Sequence, residues 1–183
     1  MKKALLVSLI LLIASIAVFA YETVIIKYPD GEIWVRAYYK QFGGETILQY
    51  VPRGQTKRDW TRTVVIHAYE GANYPVTVFM ANNIALMLKN NPTSQYKYLK
   101  IDERDCITGR CTQDYKGIKG QCEFFRASRA HGGIISIHYI NKNKEEFIKD
   151  YKRWYDIIKK AKFLNTYWRN NRILNKSEYF ELW

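Results

Sequence analysis

The sequence lacks the short motifs that mark the common classes of enzyme and nucleotide-binding protein. It contains no GxSxG, HExxH, Walker or Rossmann pattern, and no CxxC pair of the kind that zinc sites use. It holds three histidines in 183 residues, which leaves few candidates for a metal site or a general base. Missing motifs lower the expectation of an enzyme without excluding one. We therefore predict no catalytic residues, no metal ligands and no cofactor.

Long apolar runs are also absent, with one exception at the N-terminus. Two lysines, Lys2 and Lys3, precede an uncharged run at 4–20 that ends in Val-Phe-Ala, with small residues where a signal peptidase reads the chain. We interpret residues 1–20 as a secretory signal peptide cleaved before Tyr21, and we predict a soluble protein of the bacterial periplasm or the medium. The alternative is an uncleaved leader that anchors the protein in the inner membrane, facing the periplasm.

Acidic residues are scarce, since 17 Asp and Glu stand against 29 Lys and Arg, which gives a formal charge of +12. Such an excess favours an anionic partner, such as phospholipid head groups, lipopolysaccharide, nucleic acid or an acidic protein. The competing interpretation is a solvated basic surface that aids solubility. Export disfavours nucleic acid. We therefore expect another envelope or secreted protein, or an anionic surface, as the partner, and peripheral membrane contact is one form of the latter.

Cysteine occurs three times, at Cys106, Cys111 and Cys122, within one stretch. In an oxidising compartment, thiols within reach of each other form disulfides. We predict a disulfide between Cys122 and either Cys111 or Cys106, which would stabilise the domain by roughly 3 kcal/mol through loop closure. The third thiol is then either buried or bonded to another chain. A zinc site would have to borrow a ligand such as His131, and a thiol nucleophile would need a neighbouring histidine, so we favour neither.

No repeat, low-complexity linker or boundary rich in proline, glycine or serine divides the chain, which predicts one domain at 21–163. Apolar residues at three- and four-residue spacing predict a helix with Pro75 in its first position, and a second long helix begins after Asn143 with capping-box spacing to Glu146. We also predict a helical turn at 56–60, a loop at 106–122, and strands at 22–28, 32–41, 45–51, 61–69, 96–101, 121–127 and 133–140. This order indicates an α+β fold, an antiparallel sheet with helices packed on it.

The remaining polar candidates have ordinary structural interpretations. His67 and His138 fall within predicted strands, where a histidine bonded within the sheet is commoner than a metal ligand. Glu145 and Glu146 begin a predicted helix, where acidic residues interact favourably with the helix dipole. A deep pocket that gathered His67, His131 or His138 with nearby acids would instead favour an enzyme.

Two short motifs give a family resemblance. The segment YVPRGQT at 50–56, followed by Trp60-Thr61 and an apolar strand, is similar to a motif of small exported bacterial proteins of unknown function, and CEFFR at 122–126 fits the same order. Those proteins resemble the PsbP-like fold, an α/β/α sandwich, and the resemblance covers roughly 22–163. It implies a binding or accessory role more than catalysis, and it brings no catalytic residues. The chain departs from the pattern in its extra cysteine and its C-terminal extension.

The C-terminal extension, residues 164–183, is rich in aromatic and basic residues. Tyrosine, tryptophan and arginine dominate interface hot spots, which favours a partner-binding element; a last helix docked on its own domain is the alternative. The candidate contact residues are Tyr167, Trp168, Arg169, Arg172, Phe180 and Trp183. We therefore predict an exported, non-enzymatic binding or accessory protein of the bacterial envelope. The alternatives are an immunity or inhibitor protein for an exported toxin, and an enzyme that acts on cell-wall or anionic substrates.

Overall fold

A computed structural model of the 183-residue chain describes residues 21–29, 31–130 and 132–166. The predicted leader at 1–20, the candidate ligand His131 and the candidate contact residues of the C-terminal extension lie outside the described residues. Within the described ranges, no helix is long and apolar enough to span a bilayer.

Seven strands form one antiparallel sheet. Its spatial order is β2-β3-β4-β8-β7-β6-β5, so a three-stranded meander joins a four-stranded meander through the β4–β8 pair. The first hairpin turns at Gly43 and Gly44, which both adopt the positive φ that glycine tolerates best. Strands β1 and β9 form a separate antiparallel pair. The strands are β1 Tyr21–Ile25, β2 Trp34–Phe42, β3 Glu45–Pro52, β4 Arg62–Glu70, β5 Gln95–Lys100, β6 Asp105–Cys111, β7 Cys122–Arg129, β8 Gly133–Asn141 and β9 Lys162–Thr166.

Helices pack on both faces of this sheet. Helix α1 (Val76–Asn90) lies over β6 and β7 on one face, while α2 (Lys144–Lys149) and α3 (Tyr151–Lys160) lie over β7 and β8 on the other. Side chains alternate along β7, so Phe124 packs in the core beneath α2 and α3, and Phe125 packs in the core beneath α1. The predicted α+β class, an antiparallel sheet with helices packed on it, is confirmed.

Local chemistry sets the limits of the helices. Asn143 caps α2, because its side-chain oxygen accepts a hydrogen bond from the backbone N–H of Glu146 at 3.0 Å, as the capping-box spacing predicts. Pro75 precedes α1 as its N-cap and does not occupy the first helical position. The single long helix predicted after Asn143 is divided at Asp150 into α2 and α3.

Arg126 joins the sheet to the C-terminal end of α3. The last carbonyl groups of a helix have no partner within the helix, and a cation is favourable there. Arg126, on β7, donates through Nη1 to the carbonyl oxygens of Ile158, Lys159 and Ala161, at 2.9, 3.0 and 2.8 Å. Its Nε donates to Asp105 at 2.8 Å. One buried guanidinium thus fixes α3 against β6 and β7.

Two further predictions of local structure are wrong. The first part of the predicted loop at 106–122 is strand β6, because its alternating residues pair with β7 along their whole length. The predicted helical turn at 56–60 is a bend instead. Thr56 Oγ1 does accept a hydrogen bond from the Asp59 N–H at 3.1 Å, but no helix follows it.

Cys111 and Cys122 form a disulfide across β6 and β7. The two residues lie directly opposite each other in the strand register, which brings their Cα atoms to 4.1 Å. Cys106 is the third thiol, and it is buried beneath α1, where its Sγ donates to the carbonyl oxygen of Asp102 at 3.1 Å. Of the two pairings predicted for Cys122, the structure has the one with Cys111.

Candidate functional site

A network of polar side chains crosses the sheet on the face that α1 covers. Residues paired across antiparallel strands point to the same face, so Arg110 on β6 lies beside Glu123 on β7. By the same rule His67 on β4 lies beside Ser136 on β8, and His138 follows Ser136 on the same face. We call this set the polar network; its members, in spatial order, are Arg110, Glu123, His138, Ser136, Tyr69 and His67.

Direct contacts link successive members of the polar network. Arg110 donates to one oxygen of Glu123 through both Nε and Nη2. The other carboxylate oxygen of Glu123 lies 3.3 Å from Nδ1 of His138. The second ring nitrogen of His138, Nε2, lies 3.2 Å from the Ser136 hydroxyl. Each ionisable group at this end of the polar network therefore has a partner.

His67 and Tyr69 close the polar network on β4. The Tyr69 hydroxyl lies 2.7 Å from Nδ1 of His67 and also hydrogen-bonds Ser136. Burial, reinforced by the neighbouring His138, lowers the pKa of His67 to about 4, although Glu45 lies 3.5 Å from the ring. Burial likewise raises the pKa of Tyr69 to about 12. Both rings are therefore neutral at physiological pH.

Glu123 keeps its charge although it is buried. Burial disfavours the carboxylate, but the Arg110 guanidinium and the adjacent His138 outweigh burial and hold the pKa of Glu123 below its ordinary value. The polar network thus has an ion pair at one end and two neutral rings at the other. A buried network whose polar groups are all paired rigidifies a core.

The order Ser136–His138–Glu123 is that of a hydrolase triad, but the surroundings differ from those of an active site. Ser136 is 0% exposed, so a substrate carbonyl has no path to its hydroxyl. Both ring nitrogens of His138 are engaged within the sheet. Across the described part of the chain, no group of three or more His, Cys, Asp or Glu side chains could hold a metal ion. The geometry supports a structural role for the polar network.

The opposite side of the molecule presents an exposed basic stripe along α2 and α3. Tyr151, Lys152, Tyr155 and Lys159 recur at three- and four-residue spacing, which places them on one side of α3. Ile148 precedes them near the end of α2. Ile148 is 60% exposed and Tyr151 is 38% exposed. The ammonium group of Lys159 lies 5.6 Å from the centre of the Tyr155 ring. We call this stripe the basic flank; its members are Ile148, Tyr151, Lys152, Tyr155 and Lys159.

A cleft of about 310 Å³ lies on the other side of α3, between that helix and the segment that follows β1. Its wall is fixed by Tyr28, whose ring stacks on Trp34 at 5.0 Å and meets Trp154 edge-on at 6.5 Å. We call it the α3 cleft; its lining residues are Lys27, Tyr28, Pro29, Arg153, Asp156, Ile157 and Lys160.

Sequence reasoning found part of these features. It named His67 and His138 as separate structural residues, and the structure places their ring centres 5.9 Å apart within one network. It did not predict that Lys27, Arg153 and Lys160 line one cleft. The seven-residue spacing of Arg153 and Lys160 on the predicted last helix was the available signal, whereas the position of Lys27 depends on tertiary packing.

Comparison with models of protein families finds no match, and comparison with curated proteins finds none either. Functional conclusions for this chain therefore rest on its own residues and their geometry.

Proposed function

We propose that this protein is an exported, non-enzymatic binding or accessory protein of the bacterial envelope, and that it docks on an anionic lipid surface. Cleavage of the leader at 1–20, location in the periplasm or the medium, and membership of the exported PsbP-like proteins belong to the same proposal. The observation that carries it is the basic flank, where exposed Ile148 and Tyr151 and the partly buried Tyr155 lie beside two exposed lysines.

The basic flank has two properties of a surface that binds an anionic bilayer. Exposed Ile148 can enter the head-group region, where aliphatic side chains are favoured. The ring of Tyr151 packs edge-on against Phe124 at 4.8 Å, and its exposed part can contact the head groups, where amphipathic rings are favoured. Lys152 and Lys159 attract anionic head groups, and each cation near such a surface contributes about 1 kcal/mol. Neither lysine forms an ion pair with another described residue, so both charges are available to a partner.

Other features support the remaining parts of the proposal. The Cys111–Cys122 disulfide suits an oxidising compartment outside the cytoplasm. Helices on both faces of the sheet agree with the α/β/α arrangement that the resemblance implies. The polar network, whose ionisable groups bond one another, supports a role without catalysis.

Vesicle sedimentation tests the docking proposal. The full chain, as recovered from cells, should bind vesicles that contain phosphatidylglycerol and should not bind vesicles of phosphatidylcholine. It should dissociate from the phosphatidylglycerol vesicles as the salt concentration rises. Lys152→Gln with Lys159→Gln should weaken binding about 30-fold, because two cations contribute about 2 kcal/mol. Lys89→Gln with Lys97→Gln is the matched control, since it removes the same charge from exposed positions away from α2 and α3.

The control variant should bind nearly as well as the natural protein. Equal losses in the two double variants would show that net charge, and not the basic flank, governs binding, and would contradict the proposal. Failure to bind any anionic vesicle would also contradict it.

The two alternative functions, an immunity or inhibitor protein and an enzyme, predict different experimental results. Capture of one acidic exported toxin in a stoichiometric complex would favour an immunity or inhibitor protein. Covalent labelling of Ser136 by a fluorophosphonate probe would favour an enzyme, because that probe reacts with an activated and accessible serine. A defined envelope protein that is lost on deletion of residues 165–183 would favour the C-terminal extension as the binding element.

A further inference from the structure

We infer that the α3 cleft binds a phosphate monoester, with the phosphate held by Arg153, Lys160 and Lys27. This inference rests on the proposed docking of α3 against an anionic surface, and it names the chemical group that the surface presents. The α3 cleft is separate from the basic flank, so the two can be tested by different substitutions.

The helix places two of the three cations. Arg153 and Lys160 are seven residues apart, two helical turns, so they project from the same side of α3. Asp156 and Ile157 lie between them on that side, and both line the cleft. Lys27 lines the same cleft from the segment after β1 and adds a third cation to it.

The charge of the α3 cleft matches a dianion. Three cations and the carboxylate of Asp156 leave a formal charge of about +2, and a phosphate monoester carries about −1.5 to −2 at pH 7. None of these four side chains forms an ion pair with another described residue. A guanidinium fork and two flexible ammonium groups together suit the three terminal oxygens of such a phosphate.

The floor of the α3 cleft suits the organic part of the ligand. Tyr28 and Pro29 are buried and Ile157 is partly buried, so the base of the cleft is apolar and packed in place. The contacts of Tyr28 with Trp34 and Trp154 hold this base rigid before any ligand arrives. A volume of about 310 Å³ accommodates a phosphate together with a small carbon skeleton.

The phosphate could belong to a lipid head group or to a soluble metabolite, and paired probes separate the two sources. Vesicles of phosphatidic acid present a monoester, whereas vesicles of phosphatidylglycerol present a diester; the two are adjusted to equal surface charge. The soluble probe is glycerol 3-phosphate, measured by titration calorimetry. All measurements use the full chain as recovered from cells.

We expect at least fivefold tighter binding to phosphatidic acid than to phosphatidylglycerol. Arg153→Gln with Lys160→Gln should abolish this preference, whereas Lys152→Gln with Lys159→Gln should weaken binding to both vesicles equally. Asp156→Asn should strengthen binding to phosphatidic acid about fivefold, because it removes one negative charge a few ångströms from the ligand. A misfolded variant cannot produce that gain.

The outcomes separate the two proposals. Equal binding to both vesicles, with no heat from glycerol 3-phosphate, would overturn the phosphate site and leave the docking proposal intact. Saturable binding of glycerol 3-phosphate that Arg153→Gln abolishes, without binding to any vesicle, would support the phosphate site and overturn the docking proposal. An unchanged affinity in Asp156→Asn would also count against the site.

Discussion

Mild acid should destabilise this protein through His67. The pKa of His67 in the folded protein is about 4, against an ordinary value of 6.5, because burial and the adjacent His138 disfavour the imidazolium. Between these two values the unfolded chain binds a proton at His67 and the folded chain does not. The stability that the neutral His67 contributes is therefore fully present above about pH 7 and is lost as the pH falls towards 4.

The size of this effect follows from the two pKa values. Lowering the pH from 7.5 to 5 should cost about 2 kcal/mol of unfolding free energy through this one ring. The side chain of His67 is 23% exposed, so solvent screening reduces the effect, and we take about 1 kcal/mol as the smallest loss that agrees with it.

Urea unfolding at pH 7.5 and pH 5 measures this loss. His67→Gln is the control, because glutamine can accept a hydrogen bond from Tyr69 but carries no titrating ring. Carboxylates such as Glu123, whose pKa is held low in the folded state, contribute near and below pH 4.5 and do so equally in both proteins. Equal losses of stability in the natural protein and in His67→Gln would refute the assignment of a neutral, buried His67.

Substitutions at three other sites test the fold. Replacing Cys111 and Cys122 together by Ser should lower the unfolding free energy by about 3 kcal/mol, because the disulfide closes a loop across 11 residues of sequence. Under reducing conditions, the double variant and the natural protein should have the same unfolding free energy. Arg126→Met should cost about 3 kcal/mol, because it leaves three carbonyl groups at the end of α3 without their donor and removes one of the two cations that bond Asp105. Arg126→Lys should recover part of that loss in thermal unfolding. Gly133→Ala should cost about 3 kcal/mol in urea unfolding, because its Cβ would overlap the carbonyl oxygen of Tyr69.

Sequence patterns predicted most of the sheet, because each strand carries a local signal. The runs that became β3, β4 and β8 are β-branched and bounded by turn residues, and their predicted limits differ from the observed ones by a residue or two. Strand β6 was missed because Gly109 and two cysteines interrupt its apolar alternation. Its pairing with β7 is a tertiary property that no local pattern contains.

The candidate sites were less predictable, because they are made by residues far apart in sequence. Lys27 and Arg153 line the same cleft only because β1 pairs with β9, which immediately follows α3. His67 and His138 meet because β4 pairs with β8 across more than sixty residues of chain. A single sequence gives the identity of such residues but not their proximity.

Hydroxyl-radical footprinting on phosphatidylglycerol vesicles tests the proposed docking most directly. Tyr151 and Tyr155 belong to the basic flank, while Tyr39 and Tyr96 lie on the edge strands β2 and β5 and are each 45% exposed. The account predicts that vesicles protect Tyr151 and Tyr155 from oxidation and leave Tyr39 and Tyr96 as reactive as in solution. Protection of Tyr39 and Tyr96 with continued oxidation of Tyr151 and Tyr155 would contradict it.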